Sequence, residues 1–294
     1  MDNTKTNSRK VAISIFAIFI VLSALSAFYP SRHPEGGVFD TGNIAFMISA
    51  SGLVLLMTHG LSFFYGGMVN ARSIIVALGI VSLLWYVVGF SLAFGDDIGG
   101  IIGNPSTFLF FDQVGLVAHD RMGMGLPFVL FAAFQLKFAI ITPALITGSF
   151  AERVRFWGYV IFVCLFSLLI YCPLAHMTWH PDGLFFKRGV LDFAGGTVVH
   201  ISAGFAALAG AIFLGRRKAH LKQKSHTAVN VPYVILGTGL LWFGWFGFNA
   251  GSALESNSLA VLAFINTNLA SASAMLAWMM FDLVRGKKAS AVGA

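Results

Sequence analysis

Leu191-Asp192-Phe193-Ala194-Gly195-Gly196-Thr197-Val198-Val199-His200 opens an apolar run that continues to Leu214 and carries one ionisable ring in its interior. Residues 192–214 are long enough to cross roughly 30 Å of hydrocarbon as a helix. An ionisable side chain at that depth is costly and by default marks a pathway for an ion, a proton or a polar substrate. Asp192, two turns upstream, is expected near the membrane face. The Gly195–Gly196 pair is expected to let a second helix approach closely.

Outward from this stretch, apolar blocks of similar length recur at 43–65, 71–95, 124–148, 156–176, 230–252 and 257–283. The 294 residues are 57% hydrophobic and only 11% charged, against about a quarter charged in a soluble domain. The chain therefore reads as an all-α polytopic membrane protein with seven spans, preceded by segment 11–29. That segment follows Lys5, Arg9 and Lys10 and ends in Ala24, Ser26 and Ala27. Residues 1–29 are expected to be a signal peptide, with a retained extra helix as the alternative, and the membrane domain to occupy 40–294.

The net charge of +7 points to topology and gives no reason to expect a nucleic-acid partner. Bases gather in alternate links: Arg72; Arg153 and Arg155; Arg216, Arg217, Lys218, Lys222 and Lys224; Arg285, Lys287 and Lys288. The intervening links carry Glu35, Asp40, Asp96, Asp97, Asp112, Asp120, Asp182 and Glu255. By the positive-inside rule, the start of the 43–65 helix lies outside and the residue-285 end in the cytoplasm. The long link 96–123 is expected to be an external loop forming an acidic vestibule that attracts cations. Cys164 and Cys172 lie about 12 Å apart along one helix axis, too far for a disulfide. The scattered histidines suggest no metal site, and no cofactor is expected.

Polar and aromatic residues at membrane depth form the candidate site. Phe134 and Phe138 lie four residues apart on one helix face; core or lipid-facing packing is the alternative. Lys137, mid-span, needs a partner, a neutral state or a wet cavity. Trp179, just past a span, is either an interfacial anchor or part of an aromatic box that holds a cation through ring faces. Trp242 to Ser252 adds further rings and a hydroxyl. Small residues at Gly204 to Gly210, Gly237 to Gly251 and Ser271 to Ala277 predict tight helix packing.

The 191–200 run, Trp245-Phe246-Gly247-Phe248-Asn249-Ala250-Gly251-Ser252, Phe63-Phe64-Tyr65-Gly66-Gly67, Ala151-Glu152-Arg153 and Ala175-His176-Met177-Thr178-Trp179 together resemble the signatures of the ammonium transporter (Amt/Mep/Rh) family, in order from about residue 40 onward. The resemblance implies an external ammonium-recruitment site at Trp179, Ser252 and Phe138 with Phe134 beside it. It implies a gate of two rings, Phe138 and Phe248, a structural Asp192, and His200 as the first of two pore histidines that handle protons. It also implies a transporter, not an enzyme, in the cell membrane, working as a homotrimer on ammonium or ammonia. A PII-type signalling protein is the cytoplasmic partner implied, although the late elements it uses are not in this sequence.

Two residues depart from the family pattern. His59 stands where proline is usual, which puts a bend in that helix in question. Lys137 stands where a small or neutral residue is common and is expected to face a neighbouring helix or subunit. Family members have eleven spans, the first ten in two inverted halves with the pore between them. This sequence supplies the first five-helix half and two helices of the second, so the second pore histidine is not among its residues. A non-conducting ammonium sensor or assembly subunit is therefore the alternative to a conducting transporter.

Overall fold

Three of the long helices start on a side-chain cap. The Asp40 carboxylate accepts from the Asn43 amide at 2.7 Å, the Asn230 side chain from Tyr233 at 3.1 Å, and Asn257 from Ala260 at 3.0 Å. Each cap satisfies an amide that the first helical turn leaves without an intrahelical partner. The computed structural model describes residues 2–69, 74–221, 228–290 and 292–293. Arg72, Lys222 and Lys224 lie outside the described residues.

The long helices are α1 (Asp2–Phe28), α2 (Thr41–Met68), α3 (Ile74–Phe94), α4 (Phe128–Phe150), α5 (156–179), α6 (Gly196–Leu214), α7 (Val231–Gly251) and α8 (Ser258–Val284). All eight contain a stretch long and apolar enough to cross a membrane. The seven predicted spans are therefore present, together with the additional α1. Three helices contain a wider π turn, at Trp85–Gly89 in α3, Ser167–Tyr171 in α5 and Gly196–Ile201 at the start of α6. α2 runs unbroken through His59, whose Nδ1 lies 3.2 Å from the Leu55 carbonyl. A non-proline residue here keeps its amide, and the helix needs no bend.

α2 and α7 run antiparallel and form the most extensive helix pair. Glycines carry the contact. A Cβ on Gly67 would lie 2.6 Å from the Val234 nitrogen, and one on Gly247 2.6 Å from the Leu53 Cβ. Lipid tails are as apolar as the side chains, so close backbone approach supplies much of what drives such a pair together. α4 is the central element, packing on α2, α3 and α6. Trp85 of α3 donates its indole N–H to the Ala132 carbonyl at 3.1 Å, and Tyr65 of α2 donates to Leu145 at 2.8 Å. α8 joins α7 through the Asn249 amide, which donates to Thr267 at 2.9 Å.

At one end of the bundle, here called the mouth end, the 95–127 link folds on itself. It contains a two-stranded antiparallel hairpin, β1 (Asp97–Ile98) and β2 (Ile102–Gly103). The segment after α1 lies against the same link. Arg32 donates to Asp112 from its backbone at 2.6 Å and from its guanidinium at 3.1 Å, and the Pro34 carbonyl accepts from Leu116 at 2.7 Å. The expected acidic vestibule is met in part. Of the four carboxylates in the 96–123 link, Asp112 pairs with Arg32 and Asp97 contacts His176, while Asp96 and Asp120 are exposed. Asp182, outside that link, pairs with Arg121 and Lys187. The hydrogen bond from Arg32 holds the Asp112 carboxyl below its ordinary value.

Candidate functional site

The site is assembled from the mouth ends of α4, α5 and α7 and the loop entering α6. Phe134 and Phe138 lie one turn apart on α4, both buried. Their ring centroids are 5.0 Å apart with planes at 65°, an edge-on contact. An edge-to-face pair sets a positive ring edge against a negative ring face. Phe138 also meets Trp179 edge-on at 5.9 Å and 84°, and Phe248 at 4.3 Å with the planes tilted by 36°. The two rings that the resemblance names as a gate are thus in contact.

A cavity of about 340 Å³ opens above these rings, and Phe134, Phe138, Trp179, Asp192 and Ser252 all line it. The structure therefore brings together the residues that the sequence nominates for the mouth. Ser252 donates its hydroxyl proton to the Phe248 carbonyl at 2.8 Å. The oxygen lone pairs of Ser252 remain able to accept from a donor in the cavity. Phe248 stands behind Phe138 and is fully buried.

Asp192 fixes the loop. One carboxylate oxygen accepts from the Gly195 and Gly196 amides at 2.5 and 2.8 Å, the other from Thr197 and Val198 at 2.8 and 2.9 Å. A carboxylate is suited to the start of a helix, where amides point outward without partners and the dipole favours negative charge. The Asp192 carbonyl accepts from the Trp179 indole at 3.0 Å, orienting the ring over the cavity. Gly195 adopts φ +87°, a left-handed conformation that glycine takes at little cost. Gly195 makes this turn, and a Cβ on it would meet Val199 at 2.6 Å and the Phe138 ring of α4 at 3.6 Å. A Cβ on Gly196 would meet nothing within 4 Å.

His200 lies beyond the Phe138–Phe248 contact, its ring 5.8 Å from Phe248 and stacked on Trp245 at 5.7 Å and 10°. It lines a second cavity of about 550 Å³ with Asn249, Asn266 and Thr267. In order from the mouth, the arrangement is Trp179, Phe138, Phe248 and His200, each ring within 6 Å of the next.

The mouth cavity also has lining residues not nominated as site residues from sequence, among them a buried polar one. Gln135 is buried, lines the mouth cavity, and its side-chain oxygen has no hydrogen-bond partner. Its position beside Phe134 in an apolar run was the available signal. Lys137, on the same helix, is half-buried and makes no hydrogen bond or ion pair with a described residue. It does not line either cavity.

A bundle of membrane-length helices with an aromatic mouth and a histidine behind a ring gate defines a membrane protein with a candidate pathway for a small polar solute. The pattern described as Ammonium Transporter Family matches residues 45–294. An ammonium transporter of Aquifex aeolicus is 46% identical over 284 residues, covering 94% of this chain and 64% of that protein. One from Mycobacterium tuberculosis is 44% identical, covering 90% and 61%. The crystal structure of Saccharomyces cerevisiae Mep2 superposes with a TM-score of 0.79 at 34% identity, covering 87% of this chain and 58% of that one. A structure titled Sensor Amt Protein gives 0.76 at 32%, covering 85% and 64%. The chain belongs to the ammonium transporter family. It spans somewhat under two thirds of the length of these relatives.

Proposed function

We propose that this chain takes part in moving ammonium or ammonia across the cell membrane, with recruitment and deprotonation of the cation at the mouth. The observation that carries this reading is the gathering of Phe134, Phe138, Trp179 and Ser252 around one cavity closed below by Phe248. An ammonium ion exchanges hydration water for ring faces and the Ser252 oxygen. It cannot pass as an ion between apolar rings cheaply, so the neutral amine is the species that crosses the Phe138–Phe248 contact. The proton shed at the mouth goes to water in that cavity and from there to His200, which takes or relays it, a role suited to imidazole near neutral pH.

The test is ammonium-dependent current in proteoliposomes containing the chain. Substituting His200→Ala is expected to abolish uptake, and Trp179→Leu to raise the concentration needed for half-maximal uptake. Uptake unchanged by His200→Ala refutes the proton role.

A non-conducting sensor is the second reading, favoured by the similarity to the structure titled Sensor Amt Protein. Ammonium binding without current supports it. The exposed apolar faces of α6 and α8 support contact with lipid or with neighbouring copies in a homotrimer. The basic links support a cytoplasmic residue-285 end, with the start of α2 outside. Signal-peptide cleavage near Ala27 would leave residues 29–34 seated on the 110–116 segment, and sequencing the amino terminus of the inserted protein tests it. A PII-type partner remains an expectation for the cytoplasmic face, tested by co-purification.

A further inference from the structure

His176 sits in the last turn of α5, three residues before Trp179, and is fully buried. Its Nδ1 lies 3.1 Å from the Ala93 carbonyl of α3, and its Nε2 lies 2.9 Å from the Asp97 carboxylate of the β1–β2 hairpin. Both partners are acceptors only, so satisfying both contacts takes an N–H on each ring nitrogen. The ring thus bridges the end of α3 and the β1–β2 hairpin. The same Asp97 oxygen accepts from the Gly100 amide at 2.7 Å, and the Gly100 carbonyl accepts from Leu184 at 2.8 Å. Burial works to raise the Asp97 carboxyl, and the hydrogen bonds from His176 and Gly100 outweigh it, holding it below its ordinary value.

The other charged or titratable groups around the pair are accounted for. His180 stacks on His176 at 4.4 Å and 12°. Its Nδ1 accepts from the Asp182 amide at 3.1 Å, so that nitrogen carries a lone pair. Asp182 is held by Arg121 at 2.7 Å and Lys187 at 3.3 Å. Those two bases are thereby directed to Asp182, leaving Asp97 to His176.

We propose that the Asp97–His176 pair is a positioning element for Trp179, clamping the last turn of α5 to the hairpin and so fixing the indole in the mouth. The inference rests on the reading of that mouth as an ammonium site.

Two substitutions separate the clamp from the charge. Asp97→Asn keeps a hydrogen-bonding group facing Nε2, but an amide N–H₂ turned to the ring cannot also accept from Gly100, so the clamp is kept only in part. Asp97→Ala removes the same charge and leaves no partner. Half-saturation and maximal rate of ammonium-dependent current are measured for the wild type and both variants. For Asp97→Ala the half-saturation is expected to be raised about tenfold with little change in maximal rate, a loss of about 1.4 kcal/mol, and that of Asp97→Asn to lie between Asp97→Ala and wild type. Amide hydrogen exchange of residues 176–183, read on the same proteins, is expected to be about tenfold faster in Asp97→Ala, the same free-energy change. Unchanged exchange in Asp97→Ala overturns the clamp. Faster exchange with unchanged half-saturation overturns its action on Trp179. A wild-type chain that neither binds nor carries ammonium refutes the transport reading and the positioning role with it, whereas the exchange arm still reports on the clamp.

Discussion

Removing the Asp192 carboxylate is expected to destabilise the chain more than any other single change at the mouth. In Asp192→Ala, the amides of Gly195, Gly196, Thr197 and Val198 lose acceptors at 2.5–2.9 Å. Part of this turn is exposed, so water replaces some of the loss, and the low end of the cost of an unsatisfied amide applies. At about 1 kcal/mol each, the four amides sum to about 4 kcal/mol. For a chain of this size that lowers the melting temperature by roughly 8 °C or more. Asp192→Asn keeps one acceptor oxygen and turns an amide N–H₂ toward two N–H groups, so about half of the cost is expected. The assay is thermal unfolding in detergent, followed by tryptophan fluorescence and by ammonium binding. Binding should weaken in the same order, because the Asp192 carbonyl orients the Trp179 indole. An Asp192→Ala protein that melts within about 1 °C of wild type would refute the capping argument, since the change would then be under 1 kcal/mol.

Lys137→Met should raise the melting temperature by a few degrees, because a half-buried cation with no described partner is exchanged for an apolar side chain, worth about 1–3 kcal/mol; a fall would mean that a neighbouring copy pairs with it. Gly247→Ala places a Cβ 2.6 Å from that of Leu53 and should cost about 1–3 kcal/mol. Gly239→Ala, on the same helix with nothing within 4 Å, should be neutral or stabilise by about 0.5–1 kcal/mol; the two melting curves are compared directly. The depressed Asp112 carboxyl means that its bond to Arg32 contributes fully above the ordinary carboxyl value of 3.8 and fades as pH falls through the lower folded value. Hydrogen exchange at the Gln113 and Leu116 amides should therefore be slow at neutral pH and accelerate, after correction for intrinsic rates, only in that acidic window.

Periodicity and block length make the spans legible, because a membrane helix must keep its own backbone bonded for its whole length. Their ends are less so. The 156–176 block continues as helix to Trp179, since the His180 amide still bonds the His176 carbonyl at 3.1 Å. The Gly237 to Gly251 spacing found its partner in α2; in the Gly204 to Gly210 run, Gly210 packs against the Phe150 ring of α4, whereas a Cβ on Gly204 would meet nothing within 4 Å. Spacing names a face but not the neighbour that lies against it. The same limit explains the Gly195–Gly196 pair, whose composition suits both a close crossing and a left-handed turn. Asp112 and Asp97 were read as free charge because their partners, Arg32 and His176, are about 80 residues away in sequence. The mouth residues were legible for another reason: several ordered motifs jointly specify a family, and the fold then brings their side chains together.

Two kinds of force hold the mouth. Phe134 and Phe138 ride on α4, the most buried of the helices. Phe248 rides on α7, and the glycine contacts with α2 set its depth. Those rings are positioned by close packing, which is stiff and changes in steps when a side chain is added. Trp179 and the loop entering α6 are held instead by polar contacts, from the Asp192 carbonyl, its carboxylate and the Asp97–His176 pair. Polar contacts respond to pH and to single-atom substitutions that leave packing intact. Changes in the glycine contacts should therefore alter the gap between Phe138 and Phe248 and hence the maximal rate. Changes in the caps should alter the Trp179 ring and hence the concentration at which the mouth fills.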